Sequence, residues 1–334
     1  MRRGAIVRIA GIGIVIAIIC LLVAFLINWL PDSASEQMNR IEDVYWFATF
    51  ICIGIFSLVM SVLIYSVWKF RSPPEDESDG PSIHGHTGLE IVWTVVPAVL
   101  VIAIGILSAV VLSQNGSAGT NPMTIKVFAQ QFSWRFEYPG SNNLKSFELV
   151  MPVDRNITFQ MNSADVIHSF WIPAMGQKQD LVPGIKTSIV ITPTRTGTFT
   201  LVCTELCGLG HATMRAPVRV VSQAAFGAWV KDQQGSSSGS ADAAAVFQSA
   251  GCGGCHAFTP AGSKGAVGPN LDNVASDAKK AGEDPAAYIR ESIVDPNKVL
   301  APGFAAGVMP GNFKDSLSAK EIDALVTYLS EAKQ

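Results

Sequence analysis

The sequence predicts three architectures in succession: membrane-spanning α-helices, a β-sandwich and a small all-α domain. Three observations predict it. Long uncharged apolar stretches crowd the first third of the 334 residues. From Thr124 the apolar spacing changes to a period of two, punctuated by Pro and Gly, as short strands require. Beyond a Gly/Ser-rich stretch, two helical patterns bracket a Gly/Pro-rich middle. Composition agrees, since 49% hydrophobic and 15% charged residues are too apolar a balance for a chain wholly in water. A net charge of −3 leaves no basic patch and argues against nucleic acid as a partner.

Ile9–Trp29, Val44–Trp68 and Ile91–Leu112 each lack charge and reach the roughly 20 apolar residues that a bilayer crossing takes. Arg2, Arg3 and Arg8 precede the first, and Lys69 and Arg71 follow the second, so both flanks read as cytoplasmic. The Pro31–Asp43 loop is then outside, with one arginine against Asp32, Glu36, Glu42 and Asp43. The third span delivers everything after Leu112 to the outer face. Residues 1–35 form an extra transmembrane helix or a signal peptide. The apolar core exceeds the 7–15 residues of a signal peptide, which favours a retained helix, while Ser33–Ser35 offers a cleavage point. Residues 36–117 form a transmembrane hairpin. Cys20 and Cys52 lie inside apolar runs and read as small packing residues.

Strands are expected at Thr124–Phe128, Phe132–Tyr138, Ile157–Met161, Thr187–Ile191, Thr198–Val202 and Val218–Val221, making 118–222 a β-sandwich. Residues 223–240 read as a linker, with Gln233–Ser240 flexible by composition. Ala241–Ser249 and Ser318–Lys333 are the helices of an all-α domain over 241–334.

Four of the six cysteines fall in two tight pairs beside histidines, which points to metal or cofactor attachment. Cys203-Thr-Glu205-Leu-Cys207-Gly-Leu-Gly-His211-Ala-Thr-Met214 gathers two thiols, an imidazole and a thioether just after a strand. His168 lies upstream at another strand end, in Val-Ile-His-Ser-Phe-Trp. Two cysteines four apart on a loop can bridge a pair of metal ions. His168, His211, Met214 and the Glu205 carbonyl would complete the two ions. The same two cysteines and two histidines would also make a zinc site. Met214 favours copper, because a thioether is a soft ligand that zinc takes poorly. The adjacent sandwich fits a cupredoxin-like copper carrier.

Cys252-Gly-Gly-Cys255-His256 has the spacing of a c-type haem attachment site, with two thioethers and an axial imidazole. Zinc and redox sites share that spacing, but here the segment follows a helix on an exported arm. Met309 in Val-Met309-Pro310 offers the second axial ligand, and a Met/His pair raises the potential as an electron carrier needs. Glu90 stands at the cytoplasmic start of the third span, in Leu-Glu90-Ile-Val-Trp93-Thr-Val-Val-Pro97. A carboxylate there partners the helix dipole, and acids at membrane depth also serve proton paths. His84 and His86 read as loop polar residues.

The Cys203–Met214 motif, His168 and Lys178-Gln-Asp180-Leu-Val-Pro-Gly resemble the CuA domain of cytochrome c oxidase subunit II over roughly 41–221. Residues 241–334 are similar to a class I cytochrome c, and the fusion resembles the caa3 type. The resemblance implies CuA ligands His168, Cys203, Glu205, Cys207, His211 and Met214. It implies a magnesium site shared with subunit I at Glu205, and a proton-uptake role for Glu90. It implies a haem c held by Cys252, Cys255, His256 and Met309. It also implies a multi-pass location in a bacterial plasma membrane, with both redox domains outside. The implied partners are subunit I and other oxidase subunits, with a cytochrome or a quinol:cytochrome c reductase complex as donor. Electrons would pass from haem c to CuA and then to subunit I, where oxygen is reduced to water as protons are translocated. One departure stands out. The family's W-Y-W, whose first tryptophan accepts electrons from soluble cytochrome c, is Phe132-Ser133-Trp134 here, leaving Trp134 for an electron path or for core packing. The runner-up resemblance is to nitric oxide reductases that use CuA, and Glu90 with Trp93 favours the oxidase. A free-standing electron carrier would need neither Glu90 nor Glu205. Quinol oxidase subunits lack the two copper cysteines.

Overall fold

Helices α1 (Arg3–Leu26), α2 (Glu36–Lys69) and α3 (Thr87–Asn115) run 24, 34 and 29 residues, each long and apolar enough to cross a bilayer. The computed structural model describes residues 3–72, 74, 75, 80, 82, 84–236, 243–311 and 313–331. They form two compact units: Met1–Ser33 with Asn39–Asn115, and Ala34–Met38 with Gly116–Gln334. In the first unit α1 and α2 pack antiparallel. Phe25 stacks on Trp46 at one end, and the Arg8 guanidinium sits 5.8 Å over the Trp68 ring at the other. Between them a side chain at Gly13 would meet Ser61 at 3.4 Å, the small-residue contact that lets membrane helices approach. Arg40 donates to Asn115 Oδ1 at 3.2 Å, tying α2 to α3.

The second unit begins with a sandwich. Its strands are β1 (Met123–Gln130), β2 (Ser133–Tyr138), β3 (Leu144–Ser146), β4 (Leu149–Pro152), β5 (Ile157–Ser163), β6 (His168–Trp171), β7 (Lys178–Leu181), β8 (Thr187–Ile191), β9 (Gly197–Cys203) and β10 (Arg215–Val221). They make two five-stranded sheets, ordered β3-β2-β1-β5-β8 and β4-β10-β9-β6-β7. Each sheet mixes antiparallel neighbours with one parallel pair, β1–β5 or β4–β10. The inner faces bury Ile125, Val127, Phe136, Phe159, Phe170, Leu201 and Val218. Tyr138 crosses between sheets: its hydroxyl accepts from Val150 N at 2.8 Å and donates to Val150 O at 3.1 Å. Ala34–Met38 joins the sandwich edge through Ala34 N to Ala174 O and Glu36 N to Thr192 O.

Where a linker is expected, helix α4 (Gln223–Ser236) forms instead. Phe226 and Trp229, three apart, lay their rings on Tyr138, and this apolar contact overrides the flexible composition. Residues 237–240 of the expected flexible stretch lie outside the described residues. The helical domain follows with α5 (Ala243–Ser249), the single turn α6 (Cys252–Cys255), a hairpin of β11 (His256–Phe258) and β12 (Ser263–Ala266), then α7 (Val274–Lys280), α8 (Pro285–Val294), α9 (Phe313–Ser316) and α10 (Ala319–Ser330). Its core joins Phe247, Phe258, Ile289, Leu325 and Leu329. Ser318 and Glu321 close a capping box at the start of α10.

Candidate copper and haem centres

Strand register assembles the first centre. Phe170 of β6 pairs with Cys203 of β9, and His168, two residues before Phe170, shares its face. Closure of β9 onto β10, with Cys203 N donating to Met214 O at 3.1 Å, brings Met214 beside the thiols. Cys203 Sγ and Cys207 Sγ lie 3.9 Å apart. His168 Nδ1 is 3.9 Å and the Glu205 carbonyl 3.3 Å from Cys203 Sγ. His211 Nδ1 is 3.6 Å and Met214 Sδ 3.7 Å from Cys207 Sγ. All six residues expected from the sequence therefore meet, Glu205 through its backbone while its side chain is exposed.

Electrostatics fit a cation pair. Burial opposes ionisation of Cys203, but hydrogen bonds from His168 and the backbone outweigh it and bring that thiol down to about 7. Burial, then the charge of Cys203, pushes Cys207 up to about 12. With the two buried thiols 3.9 Å apart, ionising the second calls for bound positive charge. Soft sulfur, imidazole and carbonyl donors around two shared thiols match copper, and the thioether argues against zinc.

Two residues at this centre escaped the sequence reading. Asp165 Oδ1 accepts from His168 Nε2 at 2.8 Å, which leaves the Nδ1 lone pair facing Cys203. Its carboxylate also accepts from Gln131 N and Val166 N, each at 2.7 Å. Burial would raise the Asp165 pKa, but these bonds prevail and hold it below the ordinary value. Gln131 donates Nε2 to the Cys207 carbonyl at 2.5 Å. The Asp-x-x-His spacing carried a signal for Asp165. Gln131 had none, because its partners are distant in sequence. Trp134 is 2% exposed, with its ring edge-on to His168 at 6.2 Å and to Phe170 at 6.0 Å, so it packs the core beneath the centre.

The second centre is a cavity of about 670 Å³, within the usual range for ligand pockets, lined by Cys252, Cys255, His256 and Met309. Burial pushes the Cys252 thiol up to about 12 and raises Cys255. Burial likewise keeps His256 below its ordinary value, against the bond to Pro269. His256 Nδ1 donates to Pro269 O at 2.8 Å, leaving Nε2 with the lone pair. A side chain at Gly268 would strike that ring at 2.5–3.0 Å, so glycine sets the imidazole's place. Met309 packs, half-buried, on the helical core. These features fit a covalent haem with a His/Met axial pair.

In the first unit, the Glu90 carboxylate is exposed and accepts from His86 N at 3.0 Å, a cap on α3. His86 Nδ1 accepts from Leu89 N, and His84 lies 2.7 Å from Ser82 Oγ.

The transmembrane domain of cytochrome c oxidase subunit II matches residues 24–111, its periplasmic domain 146–222, and cytochrome c 240–333. Cytochrome c oxidase subunit 2 of Alkalihalophilus pseudofirmus is 30% identical over 319 residues, 90% of each chain. That of Bacillus sp. (strain PS3) is 32% identical over 290 residues, 79% of this chain and 80% of the relative. That of Cereibacter sphaeroides is 33% identical over 242 residues, 61% and 79% of the two chains. The chain belongs to the cytochrome c oxidase subunit II family, in the form that carries a C-terminal cytochrome c domain.

Proposed function

We propose that this subunit takes single electrons at a haem c in its C-terminal domain, relays them to the CuA centre of its sandwich, and passes them to subunit I. Oxygen is reduced to water there, with proton translocation. The observation that carries the reading is the meeting of six soft and carbonyl donors at 3.3–3.9 Å, on the same unit as a buried Cys-Gly-Gly-Cys-His cavity. His168, Cys203, Glu205, Cys207, His211 and Met214 hold the copper pair. Cys252 and Cys255 would attach the haem, and His256 and Met309 would hold its iron. Bound, each group supplies a one-electron couple. The chain's own task is to hold donor atoms still, so that little rearranges as charge passes.

Further assignments rest on the family resemblance. The exposed Glu205 carboxylate faces a magnesium ion shared with subunit I, and Glu90 takes up protons at the cytoplasmic side. Trp134 serves the copper centre as packing. Leu206 and Leu209, 79% and 83% exposed on the copper loop, form the apolar contact with other oxidase subunits. The domains run 1–35, 36–117, 118–222, 223–240 and 241–334 in a bacterial plasma membrane, with both redox domains outside. The donor is a cytochrome or a quinol:cytochrome c reductase complex.

A reduced-minus-oxidised spectrum of the complex that copurifies with the chain from its native membrane tests this. Bands of c-type and a-type haem together are expected. Bands of c-type and b-type haem without a-type would point to a nitric oxide reductase. A c-type spectrum alone would point to a free carrier.

A further inference from the structure

The turn between β1 and β2, Gln131-Phe132-Ser133, touches both redox centres. On the copper side, Gln131 donates N–H to Asp165 Oδ2 and Nε2 to Cys207 O, so one residue fastens the His168 loop to the cysteine loop. The Phe132 ring lies against the same cysteine loop. A Cβ at Gly210 would fall 2.5 Å from ring atoms, and one at Gly208, whose φ is +127°, would fall 3.2 Å away. On the haem side, Phe132 and Ser133 line the cavity that holds Cys252, Cys255 and His256. Ser133 Cβ is 3.4 Å from a Cβ at Gly251, and Thr213 Oγ1 is 3.6 Å from one at Gly254. Those glycines stand next to the two attachment cysteines. Phe147, between β3 and β4, is buried in the core of the helical domain and anchors it a second time.

We propose that this turn is the positioning element that couples the centres: Gln131 fixes it to both copper loops, the Phe132 ring props it against the cysteine loop, and Phe132 with Ser133 presents the surface on which the haem-attachment turn rests. The proposal rests on the relay above. With both groups bound, what crosses here would be a single electron, lost by the haem and gained by the copper pair, with no bond made or broken. A phenyl ring has no redox state of its own to offer, so Phe132 acts by filling the gap and excluding water. Glycine at 210 is what admits the ring. The chain thus seats its own haem domain at the residue that replaces the tryptophan of the family pattern.

The test compares Phe132→Ala and Gln131→Ala with Lys145→Ala, an exposed control on β3, in the assembled oxidase. Dipolar EPR reads the haem-to-copper distance, and flash reduction of haem c reads the onward transfer. Both turn variants are expected to lose the single narrow haem-to-copper distance and to slow the onward transfer. Lys145→Ala is expected to change neither. Unaltered distance and rate in Phe132→Ala would overturn the proposal. If that variant fails to load copper, Phe132→Leu, which keeps much of the volume, is read in its place. Absence of transfer in the unaltered oxidase would refute the relay, while the distance measurement would still decide the role of the turn.

Discussion

Asp165 gives the sharpest test of how the copper centre is held. Its carboxylate makes three bonds of 2.7–2.8 Å: Oδ1 accepts from His168 Nε2 and Val166 N, and Oδ2 from Gln131 N. Asp165→Ala removes all three. The two backbone N–H groups recover water, because the Asp165 side chain is 30% exposed, so folding loses little. The His168 ring loses the partner that fixes its tautomer and angle, and such outer partners are worth about 10–100-fold in metal affinity. That is about 1.4–2.7 kcal/mol. Asp165→Asn is milder. With its oxygen toward His168 and Val166 it keeps two bonds and turns its NH2 against Gln131 N–H. Copper affinity should therefore fall in the order unaltered, Asn, Ala, with most of the loss in Ala. Competition titration against a chelator, read by the copper–thiolate absorption of the full-length chain, measures it. An Ala variant that binds copper as tightly as the unaltered chain would refute the orienting role, and an Asn variant as weak as Ala would show that charge, not the bond, matters.

Other outcomes follow from the same geometry. Copper loading should tighten as pH rises through neutrality, because His168, which burial lowers but the Asp165 bond raises above its ordinary value, and both cysteine thiols must give up protons to bind the metal. The same titration at stepped pH would show it. Gly268→Ala should push the His256 ring off its place, destabilise the haem domain by about 1–3 kcal/mol and weaken the axial bond, read by melting and the haem spectrum. Leu206→Asp with Leu209→Asp should leave copper binding intact but release the chain from the other oxidase subunits on purification. Asp272 accepts from Thr259 N at 2.7 Å and Thr259 Oγ1 at 2.9 Å, which lowers its pKa below the ordinary 3.8. Its stabilising effect is complete above that value and lost as pH falls through the lowered one, so Asp272→Asn should flatten the acid limb of a pH-stability curve.

The chemistry was legible where it is local. Cys203 to Met214 is one loop, Cys252 to His256 one turn, and both place their donors by short-range geometry. The three spans were legible because a bilayer demands length and apolarity at once. β3, β4 and β7 were missed for a physical reason: at three or four residues each they are too short to show a period of two. Helix α4 was hidden by Gly and Ser at its C-terminal end, since what holds it is Tyr138, far away in the sheet. Gln131 was hidden for the same reason, because only the folded sandwich brings it between Asp165 and Cys207.

The contrast between the two centres has a structural source. The copper donors hang from two separate places on a rigid sandwich, the start of β6 and the β9–β10 loop, so their spacing depends on the sheets, and on Gln131 and Asp165, which tie the two together. The haem site is nearly self-contained: attachment cysteines, axial histidine and the Pro269 carbonyl all lie within one stretch of chain. A self-contained module can be carried on any surface, but a relay also needs that module held at a fixed place. The turn at Phe132 meets this need with residues that neither motif contains. In such a fused chain, a fixed haem-to-copper distance depends on the β1–β2 turn and on the glycines at 208 and 210 that admit its ring, as well as on the ligands themselves.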